Sequence, residues 1–507
     1  MALPKVIGTE TEFGITVRNQ PNFNPAVASG LVINAYQGRS ARVKWSFEEE
    51  SPGRDARGFG FESRAPADLD AGIPNVVLTN GARLYVDHAH PEYSTPECLD
   101  PLQAALHDKA GEVVMARAGR SAQALVPAGQ VVALYKNNSD GKGNSYGAHE
   151  NYLLARQLPF GEVIKHLTTF LVTRQVFTGS GKLGSENGRP HTDFQVTQRA
   201  DFFEEEVGLE TTLKRPIINT RDEPHGTPSK YRRLHVIIGD ATMSEVQTFL
   251  KVGTTALFLA AVEDGALPDF ITLQDPVDAC WQVSHDLEMR LPLKLADGTT
   301  ATALELQRQY SEWLTKYAEQ SGTEHDRLLA EWGGILDDLE RDPLSTADRL
   351  DWSAKYRVLD AMRERDGLNW SDAKLRALDL QFHDIDPDRG IYHRLVRRGA
   401  LRRLFTDEEV DTATRRPPEG TRAYFRGECV SRYPEALVAA NWDSLVFDTG
   451  ESSLKRVPMM EPLRGGRERV EELLDGSPNA AGLLAALGGS DGRAGTEEAT
   501  DTGREDV

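Results

Sequence analysis

The sequence predicts an α+β fold in which an antiparallel sheet packs against helices. Strand-like segments lie mostly in the first half of the chain, whereas residues 302–380 are strongly helical. In that second region, apolar side chains recur at three- and four-residue spacing, as at Leu306, Tyr310 and Leu314, which is the period of an amphipathic helix. Strands that come early and helices that come late favour this layout over alternating βαβ units.

The individual elements are predicted from the same patterns. Strands are expected at 6–17, 76–78, 82–87, 131–136, 194–203, 213–220 and 234–238, and helices at 101–118, 160–178, 243–266 and within 302–380. Between residues 18 and 75 the regular pattern is lost, and a loop longer than about 15 residues is usually functional or disordered. Residues 136–154 begin as a polar loop rich in Gly, Asn and Ser, a composition typical of turns.

Three regions are expected along the chain. Residues 1–425 form a large domain that contains a charged insertion or loop at about 36–75, and residues 426–487 form a small C-terminal subdomain with short strand-like runs. Residues 488–507 carry no large apolar side chain except Val507. This last segment is predicted to be a disordered acidic tail, because it cannot bury enough apolar surface to fold.

Composition and charge restrict the class of protein. Of 507 residues, 39% are apolar and 27% charged, which is typical of a soluble globular protein. The net charge of −20 argues against nucleic acid or an anionic membrane as the main partner. Three cysteines without a CxxC pair favour a reduced cytoplasmic protein without a disulfide framework. A monomer is the expected state.

Two segments bear on membrane insertion and export. The N-terminus has no basic region followed by a long apolar run, so no signal peptide is predicted. The apolar segment 243–267 contains Glu245, Lys251 and Glu263. Because a bilayer span needs about 20 mostly apolar residues, this segment is predicted to be a buried core helix.

The segment NGARLYVDHAHPEYSTPE, residues 80–97, carries the densest set of reactive side chains. Residues 82–87 alternate strictly between apolar and polar, so Arg83, Tyr85 and Asp87 share one face of a strand. The continuation HAHPEY adds Glu92. Asp87 is a candidate nucleophile or general base, and its structural alternative is a turn cap. The guanidinium of Arg83 is suited to bind a phosphate. Its structural alternative is an ion pair with Asp87 or Glu92.

Two further carboxylates, Glu10 and Glu12, share a face of the first strand. Carboxylates held side by side repel each other unless a cation lies between them. Oxygen ligands suit Mg²⁺ or Mn²⁺, with phosphates completing the shell. The alternative is an exposed edge strand with two surface glutamates, but the acids of residues 80–97 favour a face that binds metal and nucleotide.

Three other features remain open from the residues alone. His149 follows a glycine-rich turn and is either a ligand or a structural histidine. The basic residues of 214–235 either neutralise a transferring phosphoryl group or form solvated loops. The run 389–403, with six arginines, is either an exposed helix or a docking groove for an acidic partner. The chain has no Walker-type or HExxH motif, which argues against a P-loop NTPase or a zincin.

Five segments together carry a family resemblance. They are GTETEFG, NGARLYVDHAHPEY, KNNSDGKGNSYGAHENYL, PIINTRDEPH and YRRLHVIIGDATMSE. They resemble the Pup ligase/depupylase family of actinobacteria, which is related in fold to glutamine synthetase and other carboxylate–amine ligases. The resemblance spans about residues 6–463. It implies a curved, glutamine-synthetase-like antiparallel sheet in the catalytic domain, a C-terminal subdomain that contributes to the nucleotide site, and ATP and Mg²⁺ as cofactors.

The resemblance also implies roles for individual residues. Magnesium would be held by Glu10, Tyr85 and Glu92, with Glu12 and His149 as further ligands around the nucleotide; ATP would be contacted by Arg83, Thr95 and Trp442; and the catalytic carboxylate would be Asp87.

The family contains two opposite activities, and three features here resemble the hydrolytic one. A ligase joins the C-terminal glutamate of the small acidic protein Pup to lysines, whereas a hydrolase deamidates Pup's C-terminal glutamine and removes Pup from conjugates. The segment VDHAHPEY replaces the ligase's LDVGSHPEY, IGTETE replaces MGIETE, and a charged insertion contains ESPGRDARGF. An ATP-dependent Pup deamidase and depupylase is therefore expected, with Pup and pupylated proteins as partners and 389–403 as part of a groove for Pup. The alternatives are the ligase and an inactive Pup-binding adaptor.

Overall fold

The computed structural model describes residues 2–20, 22–46, 50–51, 53–58, 74–322 and 325–490. Part of the predicted insertion, residues 59–73, and most of the predicted tail, residues 491–507, lie outside the described residues.

The described strands and helices follow one another in this order. The strands are β1 (Ile7–Glu12), β2 (Gly14–Arg18), β3 (Ser40–Ala41), β4 (Lys44–Trp45), β5 (Asn75–Leu78), β6 (Arg83–Asp87), β7 (His90–Ser94), β8 (Val131–Tyr135), β9 (Ala148–Ala155), β10 (Lys182–Leu183), β11 (Phe194–Gln195), β12 (Phe203–Gly208), β13 (Arg215–Asn219), β14 (Tyr231–Val236), β15 (Leu293–Lys294), β16 (Thr300–Ala301), β17 (Leu437–Ala440), β18 (Ser444–Phe447) and β19 (Lys455–Pro458). The α-helices are α1 (Pro25–Ala35), α2 (Pro101–Gln123), α3 (Phe160–Thr173), α4 (Gln175–Thr178), α5 (Glu245–Glu263), α6 (Pro276–His285), α7 (Ala303–Ser321), α8 (Asp326–Arg341), α9 (Asp351–Asp366), α10 (Ala373–Phe382), α11 (Ile391–Arg397), α12 (Asp407–Ala413), α13 (Arg422–Arg432), α14 (Arg467–Asp475) and α15 (Ala480–Ser490).

A seven-stranded sheet organises the large domain. Its strands run in the order β14-β9-β1-β7-β6-β5-β3, and every neighbouring pair is antiparallel. Because side chains alternate along a strand, one face is apolar. Leu84, Tyr152 and Leu234 on that face are buried against the helices, and the opposite face is polar. The predicted α+β class, an antiparallel sheet packed against helices, is confirmed.

The predicted first strand, 6–17, is two strands. Phe13 separates β1 from β2, and β2 leaves the central sheet to pair with β8. The chain packs tightly at this point, because a Cβ atom on Gly14 would lie 2.6 Å from both Asn137 Oδ1 and Tyr146 Oη. Glycine therefore allows the close approach that the break requires.

Helix α1 lies in the region where the sequence pattern was lost. Its start did carry a signal, since the Asn24 side chain accepts hydrogen bonds from the backbone N–H groups of Ala26 and Val27 and Pro25 occupies the first turn. Its apolar residues are spread around the helix, so it has no amphipathic stripe. An amphipathic period therefore could not reveal it.

The C-terminal subdomain includes residues from outside the predicted range. Its sheet has the order β19-β18-β17-β4, and β4 comes from the predicted insertion. The predicted boundary between residues 425 and 426 falls inside α13, and Phe425 shares a core with Leu445 and Phe447. Residues 488–490 of the predicted tail belong to α15. In the structure the subdomain is therefore assembled from two separate parts of the chain, β4 and the segment from α13 to α15.

Helix α5 corresponds to the predicted core helix. Among the described residues it is the one helix long and apolar enough to cross a membrane, but 94% of its most apolar stretch is buried inside the protein. It packs within the main hydrophobic core through residues such as Leu250, Leu257 and Phe258.

Candidate active site on the polar face of the sheet

The strand register brings distant polar side chains into rows on the open face of the sheet. Glu92 on β7 lies between Glu12 on β1 and Tyr85 on β6, as a register partner of both. In the neighbouring row, Glu10 is opposite His149 on β9. These four strands therefore place the predicted metal ligands side by side, although more than 130 residues separate the first from the last.

A cleft of about 1100 Å³ covers this face. Most of the residues predicted from sequence line it, namely Glu10, Glu12, Arg83, Tyr85, Asp87, Glu92, His149 and Trp442. Thr95 does not; it lines a neighbouring cavity of about 80 Å³ between the sheet and the C-terminal subdomain. The cleft is larger than the ~300–1000 Å³ usual for a small-molecule pocket, so it has room for a nucleotide and the end of a second substrate.

Asp87 lies where β6 turns into β7. The two residues His88 and Ala89 connect the strands, and Asp87 pairs with His90 across the hairpin. The His88 Nδ1 atom is 3.0 Å from Asp87 Oδ1. Burial by itself would raise the pKa of Asp87, but the hydrogen bond and charge of His88 lower it below its ordinary value. The same contact raises the pKa of His88 to about 9, so at neutral pH the pair is an imidazolium and a carboxylate.

Three carboxylates form one cluster of possible metal ligands. Oxygen atoms of Glu12, Asp87 and Glu92 lie within 4.8 Å of one another. Burial, and then repulsion from Asp87 and Glu12, raises the pKa of Glu92 well above its ordinary value. Such crowding is relieved when a divalent cation lies between the acids. The donor set therefore fits Mg²⁺.

A second cluster consists of Glu10, His149 and His235. The His149 Nδ1 atom is 3.1 Å from Glu10 Oε2, and the two imidazole rings are 4.8 Å apart. Asn151 donates to Glu10 Oε1 at 2.9 Å, and its Oδ1 is 2.9 Å from His235 Nδ1. An amide oxygen only accepts, so this contact favours a proton on His235 Nδ1, which would leave Nε2 as a ligand atom. The Arg233 Nη1 donor, 3.3 Å from the same Nδ1, favours the opposite tautomer.

His235 and Asn151 were missed from the sequence. The signal lay in the alternation of β14, where Arg233 and His235 share the face opposite Leu234. The Arg233 Nη1 atom is 2.6 Å from Asn151 Oδ1 and 3.8 Å from Glu10 Oε1. Burial would raise the pKa of Glu10, but His149, His235 and Arg233 hold it well below its ordinary value.

Arg83 is held rigidly in the cleft wall. Its guanidinium carbon is 3.6 Å from the ring centre of Trp45 and 3.8 Å from that of Tyr85, and its Nε donates to Asn75 Oδ1 at 2.6 Å. Within the described residues its two terminal amino groups have no hydrogen-bond partner. A stacked guanidinium with free terminal donors suits an anionic ligand, as predicted. Burial, followed by the nearby Glu92 charge, raises the pKa of Tyr85 well above 10, so its phenol is neutral.

Thr95 and Trp442 meet at the smaller cavity. The Thr95 hydroxyl accepts a hydrogen bond from the Thr9 backbone N–H at 2.9 Å. The Trp442 ring lies edge-on to Trp45 with centroids 5.4 Å apart. An apolar pocket that joins a polar, metal-suited cleft is an arrangement suited to a nucleotide, whose base and phosphates need these two environments.

The basic residues of 214–235 separate in the structure. Arg215, Arg221 and Arg233 line the cleft, whereas Lys230 pairs with Glu461 and Arg232 donates to the Leu158 carbonyl. Arg199, which was not predicted, also lines the cleft, and burial beside Arg215 lowers its pKa to about 9. Several arginines therefore line the cleft beside its acidic clusters.

Three of the six arginines in the basic run 389–403, including Arg402 with Glu331, form ion pairs with the protein's own acids. Arg389 pairs with Asp384, and Arg403 pairs with Glu245 and Asp407. None of its residues lines the cleft as the structure describes it. A docking role for this run stays a prediction.

The fold and the site together define a class, a protein with an antiparallel sheet whose open face is suited to a divalent cation, an anionic cofactor and a reactive carboxylate. The family profile described as "Pup-ligase protein" matches residues 5–446, and the chain belongs to this family.

Several relatives are similar over their full lengths. The chain is 53% identical to a protein of Acidothermus cellulolyticus named "Depupylase", over 96% of this chain and 99% of the relative. It is 49% identical to the "Pup deamidase/depupylase" of Mycolicibacterium smegmatis, over 96% and 100%. A "Pup--protein ligase" of an Arthrobacter species is 38% identical over 93% and 99%.

Solved structures agree with this membership. The ligase PafA in complex with Pup has a TM-score of 0.78 at 32% identity and covers 99% of each chain. PafA in complex with ADP has a TM-score of 0.71 at 36% identity, over 79% of this chain and 89% of that chain. The roles assigned to Asp87, Thr95 and the metal ligands stay predictions.

Proposed function

We propose that the protein is an ATP- and Mg²⁺-dependent Pup amidohydrolase, which deamidates the C-terminal glutamine of Pup and cleaves the isopeptide bond between Pup and substrate lysines. The observation that carries this proposal is full-length identity of 49–53% to proteins named depupylase or Pup deamidase/depupylase, against 38–41% to named ligases. The geometry supports the proposal, because Asp87 lies in the cleft within one cluster of possible metal ligands, and a second such cluster lines the same cleft.

The chemistry is assigned to Asp87. Its carboxylate, kept ionised by His88, acts on the side-chain carbonyl carbon of Pup's last residue, either by direct attack or by taking a proton from a water that attacks. The bond to nitrogen then breaks, and the nitrogen takes up a proton and departs as ammonia in deamidation or as a lysine amine in depupylation. In the direct-attack route, water then hydrolyses the mixed anhydride between Asp87 and Pup, which releases the glutamate and restores the carboxylate. One site serves both reactions because the bond broken is a side-chain amide in each.

The cofactors are assigned to the two donor clusters and the neighbouring cavity. Glu12 and Glu92 would hold one Mg²⁺ and Glu10 and His149 another, and Tyr85, the register partner of Glu92, would be a further magnesium ligand. Bound Mg²⁺ would supply positive charge next to the reacting carbonyl and the phosphates. Arg83 would contact phosphate, and Thr95 and Trp442 would border the base or ribose. The structure of PafA with ADP supports a nucleotide site in this fold.

The macromolecular partner is Pup, free or attached to protein. The complex of PafA with Pup supports binding of Pup by this fold. A disordered acidic chain would order on binding, and the cleft has room for its end beside the nucleotide. We further propose that the protein acts as a monomer in the cytoplasm, where its three buried thiols, Cys98, Cys280 and Cys429, would stay reduced.

A deamidation assay tests the proposal. The protein is incubated with glutamine-ended Pup, ATP and Mg²⁺, and a mass gain of about one dalton is expected, as side-chain amide hydrolysis requires. Asp87→Asn should abolish this gain while nucleotide binding measured by calorimetry is kept. No gain with glutamine-ended Pup, together with conjugation of glutamate-ended Pup to a lysine, would establish the ligase instead. Full hydrolysis by Asp87→Asn would refute the role of Asp87.

A further inference from the structure

The turn that presents Asp87 needs support from outside its hairpin. Only two residues connect β6 and β7, and His88 adopts a left-handed backbone with φ of +51°. Residues other than glycine adopt this conformation rarely, and they keep it only when surrounding structure holds it. The Asp87 side chain is also 39% exposed, so its own packing does not fix its position.

The first support comes from α1. Ser29 on this helix is fully buried, and its hydroxyl donates a 2.8 Å hydrogen bond to the carbonyl oxygen of Ala89 in the turn. The turn carbonyl therefore has a fixed partner beneath the hairpin. A helix that is absent from the sequence prediction thus contacts the reactive turn directly.

The second support comes from the loop before β9. The Tyr146 ring stacks on the His90 ring with centroids 4.4 Å apart and an angle of 29° between the planes. His90 is the register partner of Asp87. Tyr146 is itself anchored, because its hydroxyl donates to Asn137 Oδ1 at 2.5 Å and its backbone N–H donates to the Asn138 carbonyl at 3.2 Å.

We propose that Ser29 and Tyr146 are positioning residues that hold the Asp87 turn in its reactive geometry. Ser29 holds the turn from the helix side, and Tyr146 holds it from the cleft side. The inference rests on the catalytic role proposed for Asp87. Reacting groups must be held within about 0.5 Å of the productive geometry, so a turn released at either contact reacts more slowly without binding its substrates less well.

The experiment compares four variants in the deamidation assay. Tyr146→Leu removes the ring, Tyr146→Phe keeps the stack and loses only the hydroxyl, and Ser29→Ala removes the turn hydrogen bond. The control is Ser477→Ala, which removes another buried serine hydroxyl that donates to a backbone carbonyl, that of Leu473 at 2.7 Å, outside the cleft.

The expected result is a change in kcat with KM preserved. Tyr146→Leu should lower kcat about 10- to 100-fold, as misplacement of a reacting group does, and Ser29→Ala should lower it about fivefold, as the loss of one hydrogen bond does. KM for Pup and for ATP should stay within about twofold of wild type in both variants. Tyr146→Phe should keep most of the wild-type kcat, and Ser477→Ala should leave kcat unchanged.

Hydrogen exchange of the backbone amides of residues 87–90 gives a readout that does not need activity. Exchange should be faster in Tyr146→Leu and Ser29→Ala than in wild type or Ser477→Ala, and this comparison holds even for a variant too unstable for kinetics. If Asp87→Asn is inactive but Tyr146→Leu keeps the wild-type kcat, or changes only KM, the positioning role is overturned and the function of Asp87 stands. An active Asp87→Asn would instead overturn the function on which it rests.

Discussion

Glu97 joins the sheet to the C-terminal subdomain through two buried arginines of α13. Its Oε1 accepts hydrogen bonds from Arg422 Nε at 2.9 Å and Arg426 Nη1 at 3.3 Å, and its other oxygen pairs with Arg426. The arginine side chains are only 4% and 1% exposed. Glu97→Gln keeps the shape of the side chain but removes the only charge that neutralises these two cations within this cluster, so it should destabilise the protein.

The expected loss in the free energy of unfolding follows from the pKa of Glu97. Burial would raise it, but the charges and hydrogen bonds of Arg426 and Arg422 lower it from 4.5 to about 2. Because each pKa unit corresponds to ~1.36 kcal/mol, this ionised carboxylate contributes roughly 3 kcal/mol to stability at neutral pH. Breaking a buried ion pair by removing one partner costs about 3–5 kcal/mol, which agrees. The free energy of unfolding of Glu97→Gln should therefore fall by about 3 kcal/mol.

Denaturant unfolding at two pH values tests this reasoning. The folded pKa is depressed, so the contribution is complete above pH 4.5 and is lost as pH falls towards 2. The difference between wild type and Glu97→Gln should be largest at pH 7 and smaller at pH 4. The control is Glu419→Gln, which breaks the exposed pair with Arg467 and should cost at most about 1 kcal/mol. A loss below 1 kcal/mol in Glu97→Gln, or one independent of pH, would refute the argument.

Two further predictions concern the active site. Glu92→Gln removes the acid whose pKa is raised by burial and by its acidic neighbours, so the metal-free protein should melt at a higher temperature. Its affinity for Mn²⁺, measured by calorimetry, should fall about tenfold or more, because a ligand is lost. A lower melting temperature with unchanged Mn²⁺ affinity would contradict this. His88→Gln removes the imidazolium that lowers the pKa of Asp87, so the acid limb of the kcat/KM profile should move to higher pH. A limb that stays in place would show that His88 does not control Asp87.

Much of the site could be predicted from local patterns. The period of two along a strand placed Arg83, Tyr85 and Asp87 on one face, and the structure confirms that all three line the cleft. The Glu10 and Glu12 pair was found in the same way. This inference succeeds because side-chain alternation depends on the backbone of one strand and not on its partners.

Residues that reach the site through strand pairing or helix packing could not be found in the same way. His235 lies on β14, two strands away from β1, and reaches Glu10 only because β9 lies between them. Ser29 reaches the reactive turn from a helix 60 residues earlier in the chain. Their chemistry depends on contacts far apart in sequence, for which a single chain carries no periodic signal.

The sequence by itself determined the class of fold, the polar face of β6, the acids of β1 and, through its motifs, membership of the Pup-ligase family. Only the tertiary structure decided how those acids divide into two clusters, since the division follows from strand register across β6, β7, β1 and β9. It also decided that β4, from the predicted insertion, completes the C-terminal sheet and carries Trp45 onto Arg83. The physical reason is that alternation is a property of one strand, whereas register and sheet order are chosen by the packing of the whole domain.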